Sequence, residues 1–244
     1  MIQRMMKIGG MLAILASLAL SACTSSGQVG ELQQTTRNVD LGGAKTVQAL
    51  IQMGAGDLTI TGDGASPLLA ASFDYNIPVW KPEVNYTVSG DVGQLEVQQP
   101  AGIELNTNLA NYQYQWVLRF NDQVPLDMNV RLGAGISSLM LGGMSVERLD
   151  VQTGAGEATL DLTGNWQNNL AATITGGVGN LTIKLPKDTG ARVTVSGGLG
   201  DIIANGVKQD GDGFVNDAYG SSDHTLLIDV KGGMGKVNLQ VGPY

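Results

Sequence analysis

One short phrase recurs six times in this chain and decides what it can fold into: a β-branched residue, two further residues, Gly-x-Gly, then an alternating apolar stretch. It begins at Ile51, Val130, Val151, Ile174, Val195 and Val230. The glycine pairs are Gly54/Gly56, Gly133/Gly135, Gly154/Gly156, Gly177/Gly179, Gly198/Gly200 and Gly233/Gly235, and the four central copies start 21 to 23 residues apart. A fixed period of this size is the signature of a solenoid with one coil per repeat. After Gly156 come Ala158, Leu160 and Leu162 at every second position, after Gly179 Leu181, Ile183 and Leu185, and after Gly235 Val237, Leu239 and Val241. Polar residues stand between them. Strict alternation of this kind is a half-buried strand. Strands repeating in one register stack as parallel rungs about 4.8 Å apart, with their inward residues in ladders along a common core. The glycines mark corners, because a residue without Cβ takes φ > 0 and lets neighbouring coils approach. The expected fold is therefore all-β, a single-stranded parallel β-solenoid of 21–23-residue coils.

The address comes from the N-terminus. Residues 1–22 carry Arg4 and Lys7 and then an apolar run from Ile8 to Leu20, which reads as a secretory signal peptide rather than a membrane span. It ends in the lipobox Leu20-Ser21-Ala22 before Cys23, the only cysteine in the chain. Lipidation accounts for an unpaired thiol in an exported protein. Residues 23–44, rich in Ser, Gly, Gln and Thr, read as the lipidated cysteine and a flexible tether, and residues 45–244 as the solenoid. The expected location is extracytoplasmic and lipid-anchored in a bacterial envelope. That is the outer membrane if the cell has two, and otherwise the outer face of the cell membrane.

Charge removes a class of partners. Without its first 22 residues the chain keeps 12 of its 14 basic residues against 22 acidic ones, a formal charge of −10. A body this acidic does not track a nucleic-acid backbone.

The period breaks between residues 66 and 126, so the solenoid divides into an irregular part, 45–126, and a regular part, 127–244. The irregular part holds Phe73, Tyr75, Trp80, Tyr86, Tyr112, Tyr114, Trp116 and Phe120, eight of the chain's twelve aromatic residues. Val88 to Val97 reads as a degenerate copy of the repeat. Two readings of the aromatics stay open: they fill the wider coils or cover an end, or Trp80, Tyr112, Tyr114 and Trp116 form a platform for a glycan or partner. Tyr112, Tyr114 and Trp116 alternate and so share one face of a strand. The last coil ends at Val241 with no cap behind it. This predicts an exposed C-terminal rung over residues 230–244, available for edge pairing with a second copy or a membrane protein.

Catalytic and metal readings find little support. Asp210-Gly211-Asp212-Gly213 suggests calcium, but Phe214 and Ser221 stand where an EF-hand needs ligands. His224 is the only histidine, and its place beside Asp223 is sequence adjacency rather than triad geometry. Asp57, Glu157 and Asp201 follow equivalent glycine pairs and could stack as glycan-cleaving carboxylates, or as a solvated ladder interleaved with Asn180 and Lys236. No Gly-x-Gly copy has the third glycine at the dinucleotide spacing or the Gly-Lys-Ser/Thr of a P-loop. No enzyme, cofactor or metal is expected.

The repeated Gly-Ala-Gly-Asp/Glu phrase, the lead-in Val124-Pro125-Leu126-Asp127, the strand end Leu185-Pro186 and the closing Gly233-Met234-Gly235-Lys236-Val237 resemble the bacterial toastrack domain over about residues 45–241. That family includes the C-terminal part of cell-wall-stress regulators of the LiaF type and many lipoproteins. The resemblance implies a non-catalytic, envelope-facing module tied to membrane-stress signalling, and it supplies no functional residues. The function expected is a membrane-anchored binding scaffold or accessory in envelope-stress sensing, docking a membrane protein. The alternative is a surface adhesin or cell-wall glycan-binding lipoprotein that uses the aromatic face.

Overall fold

In the computed structural model, residues 29–65, 67–100, 111–198 and 200–242 are described. Sixteen strands follow one another: β1 (Gln33–Val39), β2 (Thr46–Gly62), β3 (Leu69–Tyr75), β4 (Glu83–Ser89), β5 (Val92–Gln98), β6 (Tyr114–Phe120), β7 (Leu126–Met140), β8 (Val146–Asp161), β9 (Leu170–Thr175), β10 (Val178–Leu185), β11 (Gly190–Ser196), β12 (Ile202–Asn205), β13 (Lys208–Asp210), β14 (Gly213–Val215), β15 (Thr225–Lys231) and β16 (Met234–Val241). A 3-10 turn, Pro78–Trp80, lies before β4.

The long strands β2, β7 and β8 each contain one Gly-x-Gly, and there the chain turns a corner. The inward set shows it: in β2 it is Val47, Ala49, Ile51 and Met53 before the glycines and Leu58 and Ile60 after them, a change from odd to even positions. One sheet is thereby folded into two halves that share a core. The leading half runs β4-β5-β2-β7-β8-β9-β15-β11-β14-β13. The trailing half runs β1-β3-β6-β2-β7-β8-β10-β16-β12. Inward residues form continuous rows, Ile51-Val130-Val151-Ile174-Val230-Val195 in the leading half and Ile60-Leu139-Leu160-Ile183-Leu239-Ala204 in the trailing half.

The corners stack backbone on backbone. Gly56, Gly135, Gly156, Gly179 and Gly235 all have φ between 128° and 146°. A Cβ on Gly135 would run into the carbonyl oxygen of Gly56, one on Gly156 into that of Gly135, and one on Gly179 into that of Gly156. The first glycines of the pairs repeat the pattern, Gly133 against Gly54 and Gly154 against Gly133. On Gly135, Gly156, Gly179 and Gly235 both demands, a left-handed φ and a close approach, fall on one residue, and only glycine meets both, whereas Gly133 and Gly154 answer to the close approach alone.

Four expectations are corrected here. The coils do not stack in sequence order: β15 lies between β9 and β11, and β16 between β10 and β12. The C-terminal rung is therefore internal, with hydrogen-bonded neighbours on both sides, and offers no edge for self-association. Residues 206–224 give the chain the length to pass β11 and β12 and insert. The folded body also starts before residue 45, because β1 pairs with β3 through all seven residues from Gln33↔Tyr75 to Val39↔Leu69. Its polar sequence suits an edge strand with solvent on both faces. The stretch Val88 to Val97 is a hairpin turning at Gly90, not a coil. Finally, β5 and β6 both lie parallel to β2, on its leading and trailing halves, as the separated halves of one coil, with β1, β3 and β4 added antiparallel.

Replacing Gly135 by alanine combines a disfavoured φ with a backbone collision, and it should cost at least about 3 kcal/mol. A urea midpoint close to that of the unmodified protein would contradict this. Ser137 is the reverse case. It sits in the core row between Leu58 and Ala158, is 1% exposed, and its hydroxyl has no hydrogen-bond partner among the described residues. Ser137→Ala removes an uncompensated buried hydroxyl, so the same titration should show a gain of about 1 kcal/mol.

Candidate functional site

The residues singled out from sequence fall in three places. Leu20, Ser21, Ala22 and Cys23 lie outside the described residues. The twelve corner glycines form the stacked corner. The four aromatics come together inside the protein: Trp80, Tyr114 and Trp116 are at most 3% exposed, and Tyr112 is half-buried against them. Ring centroids are 5.8 Å apart for Trp80–Tyr112, 5.1 Å for Trp80–Tyr114, 5.6 Å for Tyr114–Trp116 and 5.5 Å for Phe73–Trp116. The Tyr114 hydroxyl donates to the Trp80 carbonyl at 2.6 Å, and burial raises its pKa above the usual phenol value. This cluster is core, not a platform. Sequence alternation places Tyr114 and Trp116 on one strand face correctly, and that face points into the core together with its in-register partners Leu58 on β2 and Phe73 and Tyr75 on β3.

The carboxylates behind the glycine pairs are kept apart. Their row reads Asp57-Ile136-Glu157-Asn180-Lys236, with Asp201 beyond it, so a different side chain separates each from the next. Asp210 and Asp212 serve a structural purpose: each carboxylate accepts from the Arg192 guanidinium at 2.7 Å. The same loop carries Asn216, 3% exposed. Its side chain accepts the Ala191 N–H at 2.9 Å and donates to the Pro186 and Thr189 carbonyls at 2.8 and 2.7 Å. Ser222 accepts the Gly190 N–H and donates to the His224 carbonyl, a structural use of its hydroxyl. Among the described residues no group of three or more His, Cys, Asp or Glu side chains is placed to hold a metal.

The open feature is a shallow trough of about 760 Å³ on the outer face of the leading half. Its floor consists of two parallel outward rows. One is Glu96-Leu50-Asn129-Asp150-Thr173-Asp229 and the other Gln94-Gln48-Asp127-Arg148-Ala171-Leu227. Neighbours in a row are one rung apart, about 4.8 Å. Four carboxylates face one guanidinium, and that guanidinium is held by Asp127 at 3.1 Å. Gln152 donates to Asp150 at 3.2 Å and Arg131 to Asn129 at 3.1 Å, which fixes two of the acceptors. Ala171 leaves its row low next to the last member, Leu227, which is 49% exposed. The trough can thus present amide, carboxylate and hydroxyl groups along an extended ligand, with apolar contacts at Leu50 and Leu227. Sequence reasoning passed over these residues because on a single strand they look like any solvated face. Only the register joins them into rows.

Comparison with known proteins agrees with this architecture. The N-terminal domain of toast_rack, DUF2154, matches residues 28–184. The chain belongs to the toast_rack family. A solved structure of a candidate cell adhesion protein from Clostridium sporogenes shares 30% identity, covers 87% of this chain and 100% of its own, and superposes with a TM-score of 0.83. A candidate adhesin from Bacteroides fragilis shares 13% identity over 86% of this chain and 97% of its own at a TM-score of 0.34. One from Parabacteroides merdae shares 12% over 88% and 97% at 0.26. The superposition of these last two is too poor to carry an argument. No curated protein matches the chain. The toast_rack match begins at residue 28, in keeping with β1 as part of the folded domain.

Because Trp116 is core, Trp116→Ala should lower stability by about 3–5 kcal/mol. Below its lowered melting temperature, the variant should bind any surface ligand with unchanged affinity.

Proposed function

We propose that this toast_rack chain is a non-catalytic binding module of the bacterial envelope that works in adhesion, engaging an extended polar ligand such as a cell-wall glycan through the trough of its leading half. The observation that carries the reading is the trough itself. Its rows of hydrogen-bonding side chains are set at rung spacing on a rigid sheet, which suits a repeating polymer. The likeness to the candidate cell adhesion protein of Clostridium sporogenes over that protein's whole length supports the same class. Planar polar side chains and one exposed leucine offer a sugar both hydrogen bonds and an apolar face. The excess of carboxylates favours neutral or amino-bearing sugars over acidic ones.

The finer reading places the module on a membrane through a lipid at Cys23. No helix among the described residues is long and apolar enough to cross a membrane. Val29 already packs against the core, and the Gly30 N–H donates to the Asn76 carbonyl. Five residues lie between Cys23 and Val29, and the six steps from one to the other span at most about 21 Å. A lipidated chain would thus hold its body close to the bilayer, within reach of integral membrane proteins. This gives ligand binding a route to the envelope-stress role that the family resemblance implies.

Two measurements test these readings separately. The full chain should sediment with purified cell wall, and the pair Asp150→Arg and Asp229→Arg should weaken that by about tenfold with the melting temperature unchanged. Sedimentation that ignores both substitutions removes the trough from the mechanism. Cys23→Ser should move the protein from the membrane fraction to the aqueous one, and continued membrane retention would refute the lipid anchor.

A further inference from the structure

The folded sheet has four outer strands among the described residues, β4 and β13 on the leading half and β1 and β12 on the trailing half. β1 and β13 are polar and β4 alternates polar with apolar residues behind a charged first residue, in the manner by which sheet edges are kept from adding strands. Arg37 lies on β1, Glu83 on β4, and Lys208 and Asp210 on β13. β12 is the exception. It carries Ile202 and Ile203, each 42% exposed, and pairs only with β16.

Its backbone is set for a further partner. The Val237 N–H donates to the Asp201 carbonyl, and Ile202 stands opposite Val237. In a parallel ladder this register directs the N–H and C=O of Ile202 and Ala204 away from β16. Neither makes a hydrogen bond to another described residue. Beside this edge the core is open. Ile202 continues the inward row Leu181-Val237, both half-buried, and these three line a glycine-floored groove of about 90 Å³ at the corner. The other part of this end is closed, since β13 and β14 extend the leading half and Val207 and Phe214 pack on the core.

We infer that β12 is a strand-addition site that takes one extended segment of another protein, rich in alternating β-branched residues and flanked by basic ones. The backbone groups of Ile202 and Ala204 supply the ladder. The groove takes the alternate apolar side chains on the inner face, continuing the row that ends at Ile202. The basic flanks answer the charge. At the edge itself Asp201 stands beside Lys236 and the two offset each other, so the preference comes from the body as a whole: the chain beyond residue 22 carries a formal −10, which opposes a second copy and favours a cationic segment. This site is separate from the trough and stands or falls without it.

The test uses the full chain and a fluorescent nine-residue peptide of alternating valine and threonine with a lysine at each end. Saturable binding is expected by anisotropy, weakened about tenfold or more when glutamates replace the lysines. It should fall equally in Ala204→Pro, where proline removes an outward N–H and no bond to β16. Amide exchange gives a readout that does not depend on that variant folding: peptide should slow exchange at Ile202 and Ala204 in the unsubstituted chain. Absence of saturation, or binding with no protection at these two amides, overturns the proposal. So does peptide-independent dimerisation through β12, which would assign the edge to a second copy.

Discussion

Everything in this protein rests on the contact of one glycine carbonyl with the α-carbon face of the next glycine along the corner. A coil that turns within a single strand must do so without side chains in the way, and stacking at rung spacing leaves no room for a Cβ between layers. Because the corner is fixed to backbone contacts, the register of both halves is fixed with it. The pairs Gly56↔Gly135 and Gly135↔Gly156 hold Ile51 against Val130 on one side and Ile60 against Leu139 on the other. A slip of one residue would turn every buried side chain outward. The corner also sets the width of the core. On its inner side Met53 and Leu132 fill the space in the coils of β2 and β7, Thr153 follows, and Gly176, Gly232 and Gly197 occupy the place after that. The filling therefore thins toward one end, and the corner groove opens where it runs out.

The exchange of the last two coils has its own physical support. A chain that lays down β11 and β12 and then returns to insert β15 and β16 beneath them needs a long connection with a fixed course. Asn216 and Arg192 supply that fixation. The first pins the connection to Pro186, Thr189 and Ala191 from inside, and the second clasps Asp210 and Asp212 from outside. A buried amide with all these partners satisfied costs little to bury and specifies one path. The inserted coil gains hydrogen bonds on two sides, whereas a terminal coil would have them on one.

The sequence makes the repeating unit legible and leaves the order of the units hidden. Period-two alternation after each glycine pair identifies Leu160, Ile183 and Leu239 as one inward row, and the structure places them so. What alternation cannot convey is which coil neighbours which, because Val195 and Val230 satisfy the same pattern and fit either position. The polar strand β1 escapes for a related reason: with solvent on both faces, Gln33–Val39 has no apolar phase to read. The aromatic residues mislead in the opposite sense. Large rings on one strand face are compatible with a platform or with a core, and the choice depends on which face of the sheet the fold turns toward the shared core, where Tyr114 and Trp116 lie with Phe73 and Leu58. Asp210 and Asp212 likewise look like metal ligands until Arg192, eighteen residues from the first, is placed between them.

Rows explain why this scaffold suits binding. On a loop, each side chain that meets a ligand must be ordered at some entropic cost. On stacked coils the backbone is already ordered, and a neighbour one rung away restrains each outward side chain, as Asp127 restrains Arg148. The trough of the leading half is thus organised before any ligand arrives, and its chemistry can be altered rung by rung without disturbing the glycine corner on which the fold depends. The trailing half presents a mixed outward row, Thr59-Ser138-Thr159-Thr182-Asn238, with short side chains, and instead leaves its edge open at β12. Recognition by side-chain rows and recognition by backbone pairing are the two means a sheet possesses, and the two proposed sites place them on different halves of the same coils.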